Sequence, residues 1–306
     1  MAPQGGERYD SWLRTFWGPE LERIEAAAAT TQPGSPSLFA ELDSDLWALL
    51  LTQQYDAFPA IKALLPDVPD PELQAVWNGT SGAPLAAQSL AFYEKLRSLQ
   101  ARHAHVALAD SRVLDFGCGW GRLTRFFARD VAPGNLFGCD PVQGILDLCA
   151  ANRVPAVLER CEYVPQSLPF DERFDIAYAF SVFTHLSESS HRASLRALHA
   201  SLKPDGLLVL TIRPPDYLRL CELLHPARAA LGPDLELALE QPLYLFAPHE
   251  GQPLGSEAPD GEITYGETVI TPAYIREHWT ELFELLAIEL LIGDPHQVVV
   301  ALRRRD

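Results

Sequence analysis

The chain has 306 residues, 47% of them hydrophobic and 21% charged, which suffices to bury the core of one large domain or of one domain with an appended helical part. Its formal net charge of −17, with only three lysines (Lys62, Lys95, Lys203) and scattered arginines, argues against an extended nucleic-acid footprint, which needs cations clustered on one face. No run of about 18 apolar residues is present to cross a membrane, and the cysteines (Cys118, Cys139, Cys149, Cys161, Cys221) lack zinc spacing and fit free thiols in a reducing compartment.

In chain order, the opening MAPQGGERYD lacks the basic and apolar regions of a signal peptide, so a cytoplasmic protein is expected. Residues 1–110 read as a helical cap. Leu13, Phe16, Trp17, Leu21 and Ile24 recur at helical spacing, and Gly18-Pro19 is expected to end one helix and start the next. Thr31–Ser37, TQPGSPS, is a linker by composition. Leu46 to Leu65 reads as one strongly apolar helical stretch, the proline-rich PDVPDP follows, and Pro84 to His105 is a further helix.

From Arg112 the pattern changes to strands alternating with helices. The strands are RVLDFG, NLFGCD, FDIAYAF and GLLVLTI, with a shorter one at LERCEYV; the helices between them are RLTRFFARD, GILDLCAAN and RASLRALHASL. Such alternation implies βαβ units and a mostly parallel sheet covered on both faces, with ligands outside the carboxyl ends of its strands. That rim would carry Asp115, Asp140 and Ser181–His185. About 60 residues without a steady period follow, an insertion over 213–272 of the length that makes lids or binding loops. The chain closes with FELLAIELLIGDPHQVVVALRR, two β-rich runs around a Gly/Asp/Pro turn, read as an antiparallel hairpin.

The stretch Arg112–Phe127 carries Gly117, Gly119 and Gly121 at alternate positions, with Asp115 two residues before the first. A dinucleotide turn would place its third glycine where Arg122 stands, and a carboxylate at a strand end suits an ammonium group better than a phosphate. A cationic, phosphate-free nucleoside is the ligand these points favour.

The whole arrangement resembles the class I S-adenosylmethionine-dependent methyltransferases over roughly residues 112–304. VLDFGCGWG looks like the first motif of that family, LFGCDP like its second, FDIAYAFSVFTHL like the fourth-strand motif and LHASLKPDGLLVLTI like the turn and fifth strand. The resemblance implies a Rossmann-like, seven-stranded, mostly parallel sheet over 111–306 with helices on both faces, and a lid-like insertion before the last two strands. It implies S-adenosylmethionine as cofactor, S-adenosylhomocysteine as product, and no metal. The backbone of Gly117, Gly119 and Gly121 would approach the methionine part, and Asp115 would attract its ammonium. Asp140, beside Pro141, would accept hydrogen bonds from the ribose hydroxyls. Phe180 and Ser181 would border the methyl group. Many members of that family carry an acidic residue just before the equivalent of LPF for the adenine amino group; here Gln166 and Ser167 stand there instead and are the expected contacts. Trp120 is expected either to cover the cofactor or to pack on the sheet.

Methyl transfer needs acceptor and methyl held in line, which supplies more of the barrier than a general base does. His185 is the first candidate base, with a loop-bracing role as its alternative. His191 and His199 are expected on the helix surface, and Glu188 at the helix dipole. His249 and His278 could also face the acceptor, and His296 reads as a turn histidine. Trp12, Trp17, Tyr244 and Tyr265 are expected to reach the acceptor. The acidic balance and a roofed pocket favour a small-molecule metabolite methylated on O or N, with natural-product tailoring as the expected setting. A peptide or protein side chain is the second reading, and a non-catalytic binding protein of the same fold the third.

Overall fold

The computed structural model describes residues 5–31, 38–132, 134–249 and 263–306. Most of the proposed linker and residues 250–262 of the insertion lie outside them. The N-terminal helices are α1 (Gly5–Ala28), α2 (Ser44–Thr52), α3 (Pro59–Leu64), α4 (Pro71–Asn78) and α5 (Gly82–His103). Two of them correct the sequence reading. Helix α1 runs through Pro19 without stopping, because Leu13, Leu21, Ile24 and Ala28 all bury on one face and packing outweighs the one backbone bond that proline forfeits. Conversely, Leu46–Leu65 is two helices. Helix α2 ends at Thr52, where Gln53 turns extended (φ −108°), and α3 starts anew with Pro59 in its first turn behind a non-helical Phe58 (φ −133°).

The α/β part runs β1 (Val113–Phe116), α6 (Thr124–Phe127), β2 (Leu136–Asp140), α7 (Gln143–Ala151), β3 (Val157–Arg160), β4 (Phe174–Ala179), α8 (Glu188–Ser201) and β5 (Leu202–Ile212). The insertion is more ordered than its composition suggests. It holds the short helices α9 (His225–Ala230) and α10 (Leu235–Leu239) and a two-stranded antiparallel sheet of β6 (Tyr244–Pro248) and β7 (Gly266–Ile270). Helix α11 (Pro272–His278) and the hairpin β8 (Phe283–Leu290) and β9 (Val298–Arg304) complete the chain.

The main sheet has seven strands in the order β3-β2-β1-β4-β5-β9-β8, parallel from β3 to β5, with β9 antiparallel to β5. The order reverses between β1 and β4, the switch point where such sheets bind ligands. Both faces are covered, which is why these strands read as continuous apolar runs. Ile176, Tyr178, Leu207 and Val209 pack into one core with α1, α2 and α5, whereas Ala177, Ala179, Leu208 and Leu210 pack into another with α8 and α11. The helical cap is docked by directed bonds as well. Trp47 Nε1 donates to the Phe126 carbonyl (3.0 Å), and Arg129 donates to the Leu42 carbonyl and Ser44 Oγ (2.7 and 2.9 Å).

Candidate active site

A cavity of about 680 Å³ opens at the carboxyl rim over the switch point, within the ~300–1,000 Å³ range of small-molecule sites. Its floor comes from the ends of three neighbouring strands. At the end of β1, the Gly117 and Cys118 N–H groups both donate to the Cys139 carbonyl, tying the glycine turn to β2. Gly117 has φ +74°, and a β-carbon there would lie 2.4 Å from Val182 Cγ2. Only glycine leaves this turn open.

Asp115 is buried on β1 and accepts a bond from Thr124 Oγ1 (2.6 Å); burial raises its pKa to about 7. A carboxyl group held at that point is ready to ionise when a cation arrives beside it. Asp140 ends β2. Its Oδ2 accepts from Gly119 N–H and its Oδ1 from Val142 N–H, both at 3.0 Å, and burial raises its pKa to about 6. A carboxylate offers about four lone-pair positions, so two remain to receive hydroxyl groups. Phe180 and Ser181 follow β4. Ser181 takes a left-handed backbone (φ 59°), donates its N–H to Thr211 Oγ1 (2.8 Å), and its Oγ accepts from Gln297 Nε2 (3.0 Å). The Arg122 guanidinium lies 4.9 Å over the Phe180 ring and donates to Gln88 Oε1 and Ser89 Oγ.

The far walls come from the cap and the insertion: Val76, Trp77, Asn78 and Gln88 on one side, Arg213, Tyr217, His249, Tyr265 and Glu267 on the other. Trp120 is part of the lining and is pinned by a bond from Nε1 to Asn78 Oδ1 (2.8 Å), joining the glycine turn to the cap. His185 also faces the cavity. Its Nδ1 donates to the Gly266 carbonyl (2.7 Å) and its ring stacks on Tyr265 (centroids 5.0 Å apart, planes 19° apart). Burial, and then the Arg213 charge, lowers its pKa to about 3, so the imidazole is neutral with Nε2 left as an acceptor.

Of the residues singled out from sequence, Asp115, Gly117, Gly119, Asp140, Pro141, Phe180, Ser181, His185 and Tyr265 line this one cavity. Others do not. Gly121 (φ +74°) is shaped by packing instead: a β-carbon there would meet Val154 at 2.8 Å. Gln166 and Ser167 are exposed and lie outside the lining; Cys161, Glu162 and Tyr163 border the cavity beyond β3. Trp12 (40% exposed) and Trp17 lie on α1, and Tyr244 is turned away, donating its hydroxyl to the Leu186 carbonyl (2.8 Å). His191 is fully buried rather than at the surface, edge-on to Phe183 and Tyr244, with burial lowering its pKa to about 3. Ser187 caps α8, and Glu188 accepts from Tyr274 and Arg192. His278 packs on Tyr274, whereas His296 does line the cavity. Arg213, Glu267, Asp294 and Gln297 are lining residues that no local motif marks; the one signal is an acidic residue within the apolar strand GETVI. Among the described residues, no three His, Cys, Asp or Glu side chains are grouped to hold a metal ion, and no helix is long and apolar enough to cross a membrane.

No curated protein matches the chain in sequence. Among solved structures, it is similar to an S-adenosylmethionine-dependent methyltransferase from Mesorhizobium loti (19% identity, 70% of this chain and 98% of that one, TM-score 0.46). It is also similar to the magnesium protoporphyrin IX methyltransferase of Synechocystis (13%, 72% and 86%, 0.47) and to a glycopeptide N-methyltransferase, MtfA (16%, 70% and 94%, 0.44). Residues 113–206, which span β1 to the start of β5 and carry Asp115, the glycine turn and Asp140, match the family model described as a methyltransferase domain. By this match residues 113–206 are similar to a methyltransferase domain.

Proposed function

We propose that the protein methylates an O or N atom of a small-molecule metabolite, in a biosynthetic tailoring step in the cytoplasm. The observation that carries this reading is the two-sided cavity, with the strand-rim residues facing Val76, Trp77, Asn78 and Gln88 of the N-terminal helices and Arg213, Tyr217, His249, Tyr265 and Glu267 of the insertion. A roofed cavity admits a small acceptor and shields the methyl donor from water. The buried free thiols of Cys118, Cys139, Cys149 and Cys161 fit a reducing compartment.

The residues present fit S-adenosylmethionine. Asp140 has two acceptor positions left for the ribose hydroxyls, the backbone at Gly117 and Gly119 leaves room where side chains would intrude, and the Asp115 carboxyl stands ready for the ammonium. Glu162 and Tyr163, rather than Gln166 and Ser167, are suited to the adenine end. When bound, the cofactor supplies an electrophilic methyl group that requires no metal for its transfer. Phe180 and Ser181 border the reacting region. Ser181 is fixed there by Thr211 and Gln297, which limits the paths along which an acceptor can approach. His185 is neutral, and its Nε2 is suited to accept a hydrogen bond from the acceptor's X–H group and so to orient its lone pair. With a pKa near 3 it is a weak destination for the proton itself. Positioning therefore carries more of this reaction than proton abstraction.

Incubation with methyl-labelled S-adenosylmethionine and a metabolite extract, followed by separation by mass, tests the reading. Label in a low-mass product is the expected result. Label confined to protein would overturn the small-molecule assignment, and no transfer to any fraction would point to a binding protein.

A further inference from the structure

The acceptor side of the cavity carries polar atoms with no task in holding the cofactor. Glu267, on β7, is only 8% exposed and faces the cavity, yet its Oε2 is buried with no hydrogen-bond partner among the described residues. Tyr217 and His249 approach the carboxylate as hydrogen-bonding groups, yet neither gives Oε2 a hydrogen bond. His249 Nε2 lies 3.5 Å and His185 Nδ1 3.6 Å from Oε1, but that His185 nitrogen donates to the Gly266 carbonyl instead. Arg213 Nε forms a long ion pair with Oε2 at 3.7 Å, too far for a good hydrogen bond, and has no hydrogen-bond partner among the described residues. The Arg213 guanidinium is spent elsewhere: it lies 4.3 Å over the Tyr217 ring and donates to the His296 carbonyl (3.3 Å). A buried carboxylate oxygen left without a hydrogen bond costs on the order of 1–3 kcal/mol or more. Such an atom in a cavity wall is explained if an entering group supplies the missing donor.

The surroundings specify that donor. Tyr265 and Tyr217 both line the cavity, Tyr265 stacked on His185 and edge-on to His249 (centroids 5.4 Å apart), Tyr217 with the Arg213 guanidinium over one ring face. Ring faces attract ammonium groups, and a carboxylate accepts their N–H bonds with the strength of a charge-assisted pair. The charge balance agrees. Among the described lining residues, the carboxyl groups of Asp115, Asp140, Glu162, Glu267 and Asp294 face only two cationic side chains, Arg122 and Arg213. An anionic acceptor would meet this wall at a cost.

We propose that Glu267, with Tyr265 and Tyr217 beside it, is the anchor of the acceptor, and that the acceptor is a small molecule bearing a protonated amine. Calling this ligand the acceptor rests on the methyltransferase reading; the anchor itself does not. Arg213 acts within it as a positioning residue, its charge opposing the burial that raises the Glu267 pKa.

The test uses the full chain, titrated first with S-adenosylhomocysteine and then, once loaded, with phenethylamine or with phenethyl alcohol, a neutral probe of nearly the same shape. The amine should bind at least about tenfold more tightly than the alcohol, the scale of one charge-assisted hydrogen bond. Glu267→Gln should erase that preference while S-adenosylhomocysteine affinity stays within about twofold, and Glu267→Asp, which keeps the charge, should retain part of it. Equal binding of the two probes, binding of neither, or a preference that survives in Glu267→Gln would each overturn the proposal. If S-adenosylhomocysteine does not bind, the methyltransferase reading falls, and the same titrations on the unloaded chain still judge the anchor.

Discussion

Replacing Asp140 tests the cofactor assignment most directly. In the wild type its two oxygens each hold one backbone N–H at 3.0 Å, from Gly119 and Val142, which leaves two lone pairs for the ribose. A hydrogen bond to a charged partner contributes roughly 1.5–3 kcal/mol, and two formed by one carboxylate in a water-accessible cavity fall short of twice that because water refills the site of a truncated side chain. Asp140→Ala should therefore weaken S-adenosylhomocysteine binding by about 1.5–3 kcal/mol, or about 10–150-fold in Kd. Asp140→Asn should lie between, since its amide nitrogen must face one of the two backbone donors. The pH dependence follows from the same group. Burial raises Asp140 to about 6, and the ligand needs the ionised form, so wild-type affinity should fall as pH drops below about 6 while the alanine variant loses this contribution. Calorimetric titration at several pH values reads all three quantities. Unchanged affinity in Asp140→Ala would mean that the ribose is held elsewhere, and NAD binding more tightly than S-adenosylhomocysteine would remove the assignment altogether.

Gly117→Ala should destabilise the protein and abolish measurable cofactor binding, because the new β-carbon meets Val182 Cγ2 at 2.4 Å on a backbone with positive φ; Gly117→Ala combined with Val182→Ala should recover part of the stability, as read by thermal unfolding. His191 has its pKa lowered from 6.5 to about 3, so between those values the unfolded chain binds the extra proton and stability falls as pH falls. Relative to His191→Phe, the wild type should lose about 2 kcal/mol between pH 7 and pH 5 in denaturant titrations, and a pH-independent difference would show that the ring is not held neutral. His185→Ala should slow turnover by less than the ~10²–10⁴-fold of a full general base, and the wild-type rate should show no inflection near 6.5 assignable to this histidine. An inflection there that vanishes in the variant would restore His185 as the base.

The parts of the site that could be read from sequence are those built by a few consecutive residues. The strand, glycine turn and Asp115 form one local unit, and Asp140 ends the next strand, so periodicity and turn chemistry suffice to place them on one rim. Where a local rule competes with packing, sequence reading fails in both directions. Pro19 does not end α1, whose apolar face is held by the core, whereas the equally apolar run of Leu46–Leu65 leaves helical geometry at Gln53, where no proline stands, and resumes only at Pro59. His191 was indistinguishable from a surface residue by spacing alone; it is buried because α11 and the β6–β7 sheet cover α8 with Tyr244, Tyr274 and Trp279.

The acceptor wall illustrates a different limit. Gln88, Arg213, Tyr217, Glu267, Asp294 and Gln297 come from four separate segments, and each is unremarkable in its own neighbourhood. Gln297 becomes informative only when its amide is seen fixing Ser181 at the end of β4, with Oε1 left unpartnered, and Glu267 only when its carboxylate is found buried beside the cavity. A polar atom denied a partner by folding is a three-dimensional signal, since in the unfolded chain water satisfies it. The cofactor half of such a site is therefore written in motifs, because a constant ligand meets contiguous backbone. The acceptor half is written in unsatisfied groups drawn from distant segments, and it is there, at Glu267, that the choice of substrate is most open to experiment.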